Sequence, residues 1–247
     1  MSKPIWYSGF HAVEAILRHR PEAALEMFVL EGRLSRGDDR LTALLDLAKQ
    51  AGVAVQQARR EVLERHCGPQ HQGVGLRARP KPVGDHHGLS AYLESTVQEA
   101  PLVLMLDGVT DPHNLGACLR TADAVGVTAV VVPKRNACGL TPVVARTAVG
   151  GAETVPYFEV SNLAQTLRAL KELGYWVVGT DVGEQSQSLK DFVLTGPTVV
   201  VMGAEGEGMR PLVAEHCDYF VEIPMRGYVE SLNVSVATAV VLYHLRP

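Results

Sequence analysis

The C-terminal two thirds of the chain alternate between short, continuous apolar runs and longer amphipathic segments. The runs, which include LVLMLDG, TAVVVPK, YWVVGTD and PTVVVMG, lack the polar alternation of a half-exposed strand. Such runs are typical of a parallel sheet that is covered on both faces. The segments between them, among them NLGACLRTADAVG and NLAQTLRALKELG, have apolar residues three and four apart, which predicts helices. The pattern therefore predicts an α/β domain with a mainly parallel sheet, whose ligand crevice lies at the carboxyl ends of the strands.

The N-terminal region has its own pattern of alternating elements. The amphipathic segment GFHAVEAILRH predicts a helix that stops before Pro21, and LEMFVLEG, VAVQQA and GVGLRAR predict strands separated by two further helices. These elements predict a small α/β domain over residues 1–77. Residues 78–96 are rich in proline, glycine and basic residues, and we interpret them as a linker to a second domain, residues 97–247.

Composition is that of a soluble globular protein, with 247 residues, 47% of them hydrophobic, and a net charge of −4. A nucleic-acid-binding protein usually has a basic footprint, and the whole-chain balance shows none, so any basic patch is local. The start, MSKPIWYSGF, lacks the apolar core of a secretory signal, and no apolar run approaches the ~20 residues that span a bilayer. We therefore expect a cytoplasmic protein without a membrane partner.

Two groups of basic residues are the best candidates for a local basic patch. Arg33, Arg36 and Arg40 belong to the polar loop GRLSRGDDR, and the second group, Arg77, Arg79 and Lys81, lies where the linker begins. Both groups are candidate contacts for nucleic-acid phosphates. A solvated charged face explains the loop arginines equally well, so both interpretations stay open.

The sequence has no residue spacing that is typical of a metal site. His86 and His87 are adjacent, so their side chains point in different directions, and no third ligand is suitably spaced. The cysteines are scattered without C-x-x-C spacing: Cys67, Cys118, Cys138 and Cys217. We expect free thiols and no bound metal.

A first polar cluster follows the predicted strand LVLMLDG and contains Asn114 near a helix start and Arg120 further along the same helix. A purely structural interpretation makes Asp111 or Asn114 a helix cap and Arg120 a surface residue. Arg120 lies among small and apolar residues, where a guanidinium is costly to bury unless it meets an anion. A phosphate group is a natural partner for it.

A second cluster, GAEGEGM, covers residues 203–209 after the strand PTVVVMG. Its order is G-x-x-G-x-G, and the intervening Glu205 and Glu207 would repel a pyrophosphate. The segment is therefore not a dinucleotide-binding loop. A glycine-rich, acidic turn instead suits a ligand without phosphate, such as an adenosine that carries a cationic centre.

A third cluster, IPMRGYVESLNVSVA, spans residues 223–237 before a C-terminal apolar helix. Ser231 is the predicted N-cap of this helix, which places Asn233 in its first turn. The helix is apolar nearly all round, so we expect it to pack on the sheet and against a second subunit. Polar clusters at the ends of three strands favour one shared site over three separate structural roles.

Three segments resemble, in chain order, the three motifs of the SpoU-type RNA ribose 2′-O-methyltransferases, a branch of the SPOUT superfamily: NLGACLRTA, VVVMGAEGEGM and IPMRGYVESLNVSVA. The N-terminal region is similar to the small RNA substrate-binding domain, itself like certain ribosomal proteins, that precedes the catalytic domain in a ribosomal subgroup. The chain most resembles the subgroup that methylates a guanosine 2′-hydroxyl in the peptidyl-transferase region of bacterial 23S ribosomal RNA.

The resemblance implies S-adenosylmethionine as methyl donor, a homodimer, and a trefoil knot in the C-terminal domain. It implies that the donor contacts Gly203, Ile223 and Leu232, largely through their backbone groups. The catalytic constellation that it implies consists of Asn114, Arg120, Glu205, Ser231 and Asn233. The RNA partner is then 23S ribosomal RNA or its precursor, with the two arginine groups as candidate contacts.

Three alternatives compete with this interpretation. The same chemistry on transfer RNA is one, although the shortest such enzymes lack an N-terminal domain. A non-catalytic RNA-binding factor in ribosome assembly is the second, and the intact polar clusters argue against it. A nucleotide-dependent dehydrogenase is the third, and the acidic glycine turn disfavours it.

Overall fold

The computed structural model of the protein describes residues 3–34, 38–183, 185–204, 206 and 208–246. The chain forms two compact units. The first consists of Met1–Pro82 and Leu140–Thr154, and the second of Val83–Gly139 and Val155–Pro247. No helix of the described residues is long and apolar enough to cross a membrane.

The first unit contains a four-stranded mixed sheet with helices packed on it. Its strands are β1 (Ile5–Ser8), β2 (Ala24–Leu30), β3 (Ala54–Ala58) and β4 (Val74–Ala78), and its first helices are α1 (Phe10–His19), α2 (Asp39–Gln50) and α3 (Arg60–Cys67). The strand order is β1-β4-β2-β3; β4 is antiparallel to both neighbours, and β2 and β3 are parallel. Sequence patterning does not predict β1, because it is a four-residue run that joins α1 almost directly.

The core of the first unit is built from residues that the sequence pattern places on the inner faces of these elements. Ile16, Met27, Leu63 and Leu76 have no exposed surface. They come from α1, β2, α3 and β4, so each element contributes its apolar face to one core, as the amphipathic pattern of the N-terminal region predicts.

Two short helices, α6 (Pro142–Thr147) and α7 (Gly151–Thr154), also belong to the first unit. A buried ion pair connects α7 to Arg20, the residue after α1, since Arg20 Nε lies 2.6 Å and Arg20 Nη2 3.1 Å from the carboxylate of Glu153. Lys81 Nζ donates to the carbonyls of Ala152 and Glu153 at 2.9 and 2.8 Å. Burial lowers the pKa of Lys81 to about 8. Its hydrogen bonds to these two carbonyls correct the expectation that Lys81 contacts RNA phosphates.

The second unit contains a seven-stranded sheet in the order β7-β6-β5-β10-β8-β11-β9, and all its strand pairs are parallel. Its strands are β5 (Leu102–Asp107), β6 (Ala129–Pro133), β7 (Tyr157–Val160), β8 (Trp176–Thr180), β9 (Gln187–Ser188), β10 (Thr198–Gly203) and β11 (Tyr219–Glu222). Its helices are α4 (His86–Glu94), α5 (Pro112–Val125), α8 (Leu163–Glu172), α9 (Pro211–Ala214) and α10 (Val234–Leu245). The predicted α/β class with a mainly parallel sheet is confirmed. The trefoil knot stays a prediction.

The segment interpreted as a linker contains the helix α4. Asp85 caps this helix, because its side chain accepts a hydrogen bond from the Gly88 amide at 2.9 Å. Leu89 and Leu93, four residues apart, are buried in the same hydrophobic cluster as Val103 of β5. Only Leu89 and Leu93 of the nine residues are fully buried, which is a weak pattern, so the prolines of the segment favoured a linker.

We predict that Glu153→Ala lowers the free energy of unfolding of the first unit by about 3 kcal/mol, since removing one partner of a buried ion pair leaves the other uncompensated. The side chains of Arg20 and Glu153 are only 13% and 4% exposed. Urea unfolding followed by Trp6 fluorescence in a Trp176→Phe background reports this unit alone, because the chain has two tryptophans.

Glu14→Ala is the matched control. Glu14 forms an exposed ion pair with Arg18 on α1, at 2.8 Å, and such surface pairs contribute less than about 1 kcal/mol. An equal loss of stability in the two variants would show that the Arg20–Glu153 pair does not anchor α7.

Candidate active site

A cavity of about 450 Å³ lies at the carboxyl ends of β8, β10 and β11. The last residues of these strands, Thr180, Gly203 and Glu222, line it together with the segments that follow them. Parallel sheets bind their ligands at the carboxyl ends of the strands, because loops from several strands converge there. The position agrees with the crevice that the sequence pattern predicts.

A larger cavity, of about 740 Å³, lies at the amino ends of strands in the same sheet. Its lining includes Leu102 and Thr198, the first residues of β5 and β10. Volume alone does not decide which cavity is functional. None of the residues that the sequence predicts as catalytic or donor-binding lines the larger cavity, so the smaller one is the candidate site.

The smaller cavity brings four predicted residues together. Gly203, Ile223 and Leu232, the predicted donor contacts, all line it, and so does Ser231. They come from two separate segments of the chain, the end of β10 and the loop between β11 and α10. The predicted catalytic residue Glu205 lies outside the described residues.

The charged side chains that line the cavity are all acidic. Asp181, Glu222 and Glu230 contribute carboxylates, and the described lining contains no lysine, arginine or histidine. Such a lining disfavours a phosphate group and favours a ligand with a positive centre. Sequence reasoning missed Asp181 and Glu222 as site residues. Their signal is that each stands at the carboxyl end of a buried strand, in YWVVGTD and YFVE.

The glycines after β10 allow a close approach of backbone to backbone. A Cβ atom on Gly203 would lie 2.4 Å from the carbonyl carbon of Gly208. Ala204 and Gly208 exchange two backbone hydrogen bonds of 3.0 Å each, and Gly206 has a φ of 80°. The glycines therefore close a tight loop beside the cavity.

Asn114 and Asn233 meet in the structure. Asn233 Nδ2 donates to Asn114 Oδ1 at 2.9 Å, although the two residues are 119 positions apart. Asn114 lies in the first turn of α5, where its backbone amide donates to the side chain of the capping residue Asp111 at 3.1 Å. The first and third polar clusters of the sequence are thus in direct contact.

The predicted N-cap of the C-terminal helix was wrong. Asn233, not Ser231, caps α10, because Asn233 Oδ1 accepts hydrogen bonds from the Ser235 amide at 3.0 Å and the Ser235 hydroxyl at 2.6 Å. Residues before Asn233 instead follow the wall of the cavity, which leaves Ser231 exposed at its rim. The helix consequently starts later than the sequence suggested.

Arg120 is exposed, so the argument that burial forces it to meet an anion was wrong. It lies on the outer side of α5, next to the buried Leu119, and it does not line the cavity. Six residues separate Arg120 from Asn114, which places the two roughly 120° apart around the helix and about 9 Å apart along it. No described residue forms an ion pair with Arg120.

The loop arginines of the first unit share an aromatic ring. The guanidinium carbons of Arg33 and Arg40 lie 4.7 and 5.3 Å from the centroid of Phe10. Arg33 also donates to Asp38 at 2.9 Å, and this hydrogen bond holds the pKa of Asp38 below its usual value. Arg36 lies outside the described residues.

The other arginine group has different partners. Arg77 forms an ion pair with Glu26 at 2.7 Å, and Arg79 donates to the carbonyl of Glu22 at 3.2 Å. Arg33 lies against Gly73, just before β4, whereas Arg77 is near the end of that strand. The two groups are therefore roughly 13 Å apart along β4 and do not form one patch.

The described residues contain no group of three or more histidine, cysteine, aspartate or glutamate side chains that could hold a metal ion. The four cysteines are free thiols, as predicted. Cys118 is fully buried in α5, and burial raises its pKa to about 11, so it is an unreactive core residue.

Comparison with known proteins places these features in a family. The model of the SpoU rRNA Methylase family matches residues 101–243, and the model for RNA 2′-O ribose methyltransferase substrate binding matches residues 8–83. The 23S rRNA (guanosine-2′-O-)-methyltransferase RlmB of Shewanella oneidensis is 50% identical over 236 residues, which is 95% of this chain and 94% of the relative. The corresponding protein of Haemophilus influenzae is 49% identical over 99% of this chain and 97% of its own length.

The fold is also that of a solved methyltransferase structure. The SpoU methyltransferase AviRb from Streptomyces viridochromogenes, in complex with AdoMet, aligns with a TM-score of 0.78 over 98% of this chain and 88% of its own. At 22% identity this likeness shows the fold alone. Since one family model covers the parallel-sheet region and relatives of about half identity extend over nearly the whole chain, the protein belongs to the SpoU rRNA Methylase family.

Proposed function

We propose that the protein transfers a methyl group from S-adenosylmethionine to the ribose 2′-hydroxyl of a guanosine in 23S ribosomal RNA. The observation that carries the proposal is that the second and third family motifs line one acidic cavity while the first motif contacts the third through Asn114 and Asn233. Curated relatives of about 50% identity have that activity in their names. The match extends over the substrate-binding region as well as the catalytic one. This supports the ribosomal target over transfer RNA.

The residues of the cavity suit S-adenosylmethionine. The cavity of about 450 Å³ accommodates an adenosine with a short amino-acid chain, and its carboxylates favour the sulfonium charge. Gly203, Ile223 and Leu232 present backbone groups to the donor. When bound, S-adenosylmethionine supplies an activated methyl group, so the protein's main tasks are to position the acceptor hydroxyl and to assist loss of its proton.

The catalytic roles follow from the chemistry of each side chain. Asn114 and Asn233, joined by their hydrogen bond, orient the ribose hydroxyl together with Ser231 at the cavity rim. Arg120 is a poor general base because the pKa of a guanidinium is roughly 12 or above. It instead clamps a phosphate next to the target ribose with its planar fork. Glu205 assists removal of the proton or stabilises the cationic donor.

RNA binding rests on local arginine groups, which reconciles the net charge of −4 with a polyanionic substrate. Arg33 and Arg40 are held on the ring of Phe10, and Arg36 lies between them in sequence. Arg77 on β4 and Arg79 just after it form a second contact. Backbone-directed contacts of this type recognise RNA by shape and position it without reading its sequence.

The protein acts in the cytoplasm as a homodimer. Val236, Val240 and Tyr243 are 49%, 40% and 56% exposed, and their spacing of four and three residues places them on one face of α10. An apolar stripe of this kind on a helix is typical of an interface. α10 packs its other face on α5, so the stripe is available to a second copy of the chain.

We predict that the protein labels a 23S ribosomal RNA transcript with methyl from S-adenosylmethionine and that Asn233→Asp reduces the rate at least about 100-fold. Aspartate caps a helix as well as asparagine does, but it cannot donate to Asn114. The variant therefore removes the Asn233 donor, so that Asn114 must reverse its side-chain amide to keep any contact, and it keeps α10 capped. Transfer of label to 23S, 16S and transfer RNA transcripts, with mapping of the 2′-O-methylguanosine, measures this.

Asn162→Asp is the matched control, because Asn162 caps α8 in the same way, at 3.1 Å from the Gln165 amide, outside the cavity lining. Its activity should equal that of the wild type. Label on transfer RNA would contradict the proposed substrate and keep the chemistry. Binding of 23S RNA without any labelling would instead support a non-catalytic binding protein.

Arg120→Lys tests the phosphate clamp. Lysine keeps the positive charge but lacks the planar fork, so we expect kcat/KM for RNA to fall about tenfold or more while the affinity for S-adenosylmethionine is unchanged. Steady-state kinetics and isothermal titration calorimetry measure the two quantities. Near-normal kcat/KM for RNA would rule out a bidentate clamp.

Val240→Glu tests the subunit interface. A carboxylate in the centre of the apolar stripe should convert the dimer to a monomer, because an unpaired charge is costly to bury. Sedimentation velocity measures the mass. Val193→Glu is the control, since Val193 is exposed outside α10. A monomeric wild type would exclude the dimer. A dimer that survives Val240→Glu would place the interface elsewhere.

A further inference from the structure

We infer that Asp107 and Arg210 form a positioning pair that fixes the glycine loop of the donor cavity and thereby sets the affinity for the methyl donor. The inference rests on the proposed function for the identity of the donor. Neither residue lines the cavity, so both act on it through the backbone of the glycine loop.

The pair has three contacts. Asp107 Oδ2 accepts a hydrogen bond from the Arg210 backbone amide at 3.0 Å. Asp107 Oδ1 lies 2.7 Å from Arg210 Nε and 2.6 Å from Nη2. The carboxylate is 1% exposed, whereas the arginine side chain is 52% exposed. A buried carboxylate with charge-assisted hydrogen bonds on both oxygens holds its partners in one geometry.

The position of Asp107 connects both ends of the glycine loop, residues 203–210. Asp107 ends β5 and is the direct neighbour of Gly203 in the register of β5 and β10. Its side chain binds Arg210, at the other end of the loop. Between these ends the loop is closed by the two hydrogen bonds of Ala204 and Gly208. Asp107 therefore lies beside the start of the loop through its backbone and binds the end of the loop through its carboxylate.

The glycine loop forms one wall of the donor cavity through Gly203, Ala204, Gly206 and Gly208. A loop with this many glycines loses more conformational entropy on ordering than other sequences do. The pair orders the loop before any ligand arrives, and such preorganisation raises affinity. Without the pair, binding of the donor would itself have to order the loop.

A second acid–base pair in the same unit provides a matched control. Asp218 accepts a hydrogen bond from the Val177 backbone amide at 2.9 Å, and its other oxygen lies 2.5 Å from Lys171 Nζ. Like Asp107, it joins a backbone amide and a cationic side chain. Neither Lys171 nor Asp218 lines the donor cavity or belongs to the glycine loop.

The test compares Arg210→Ala, Arg210→Lys and Lys171→Ala. We expect Arg210→Ala to raise the Kd for S-adenosylmethionine about tenfold and to leave KM for RNA within about twofold of the wild-type value. Arg210→Lys should bind the donor more tightly than Arg210→Ala but less tightly than wild type. Lys171→Ala should leave Kd unchanged. Isothermal titration calorimetry measures Kd, and steady-state kinetics measure KM. Equal Kd values in wild type and Arg210→Ala would overturn the proposal.

Hydrogen exchange without donor separates this inference from the proposed function. The amides of residues 204–210 should exchange about tenfold faster in Arg210→Ala than in wild type, and those of β5 should not change. If the wild type does not bind S-adenosylmethionine, faster exchange in Arg210→Ala than in wild type would still support the positioning pair and would overturn only the identity of the ligand. Unchanged exchange, or equal acceleration throughout the second unit, would overturn the pair itself.

Discussion

The packing of α10 against α5 is the interaction on which the site depends. Thr238 of α10 is fully buried; its hydroxyl donates to the Val234 carbonyl at 2.7 Å, and the Cys118 thiol of α5 lies 3.6 Å away. This contact aligns the first turns of two helices whose sequences are more than a hundred residues apart. Asn114 and Asn233 meet because the helices that carry them are held side by side, so the geometry of the proposed catalytic pair is a consequence of core packing.

The charge distribution separates the two ligands of the reaction. The donor cavity carries only acidic side chains in its described lining, whereas the candidate RNA contacts are arginines in the first unit and Arg120 on the outer side of α5. An acidic cavity attracts a cationic donor and repels RNA phosphates, so phosphate binding is confined to surfaces outside it. A single net charge for the chain averages over these opposing surfaces and therefore says little about function.

The sequence predicted most of what depends on local pattern. Continuous apolar runs identified the strands of the parallel sheet, and the polar clusters after β10 and β11 identified the walls of the cavity. The N-cap could not be chosen correctly, because Ser231 and Asn233 both cap helices well and the path of the preceding loop along the cavity decides between them. Arg120 was misjudged since its sequence neighbours are apolar, while the exposure of a helical residue depends on which face packs against the core.

Asp107 is a residue whose role could not be predicted from the sequence. In the sequence it is the last residue of the run LVLMLD and has no visible partner, since Arg210 follows about a hundred residues later. Only the register of β5 with β10 places the carboxylate beside Gly203 and within reach of Arg210. A parallel sheet brings together the carboxyl ends of strands that are distant in sequence, so the residues that shape a ligand cavity need not lie in the motifs that bind the ligand. The residues that support such a site from behind its lining are brought there by the strand order of the sheet, which a single sequence does not reveal.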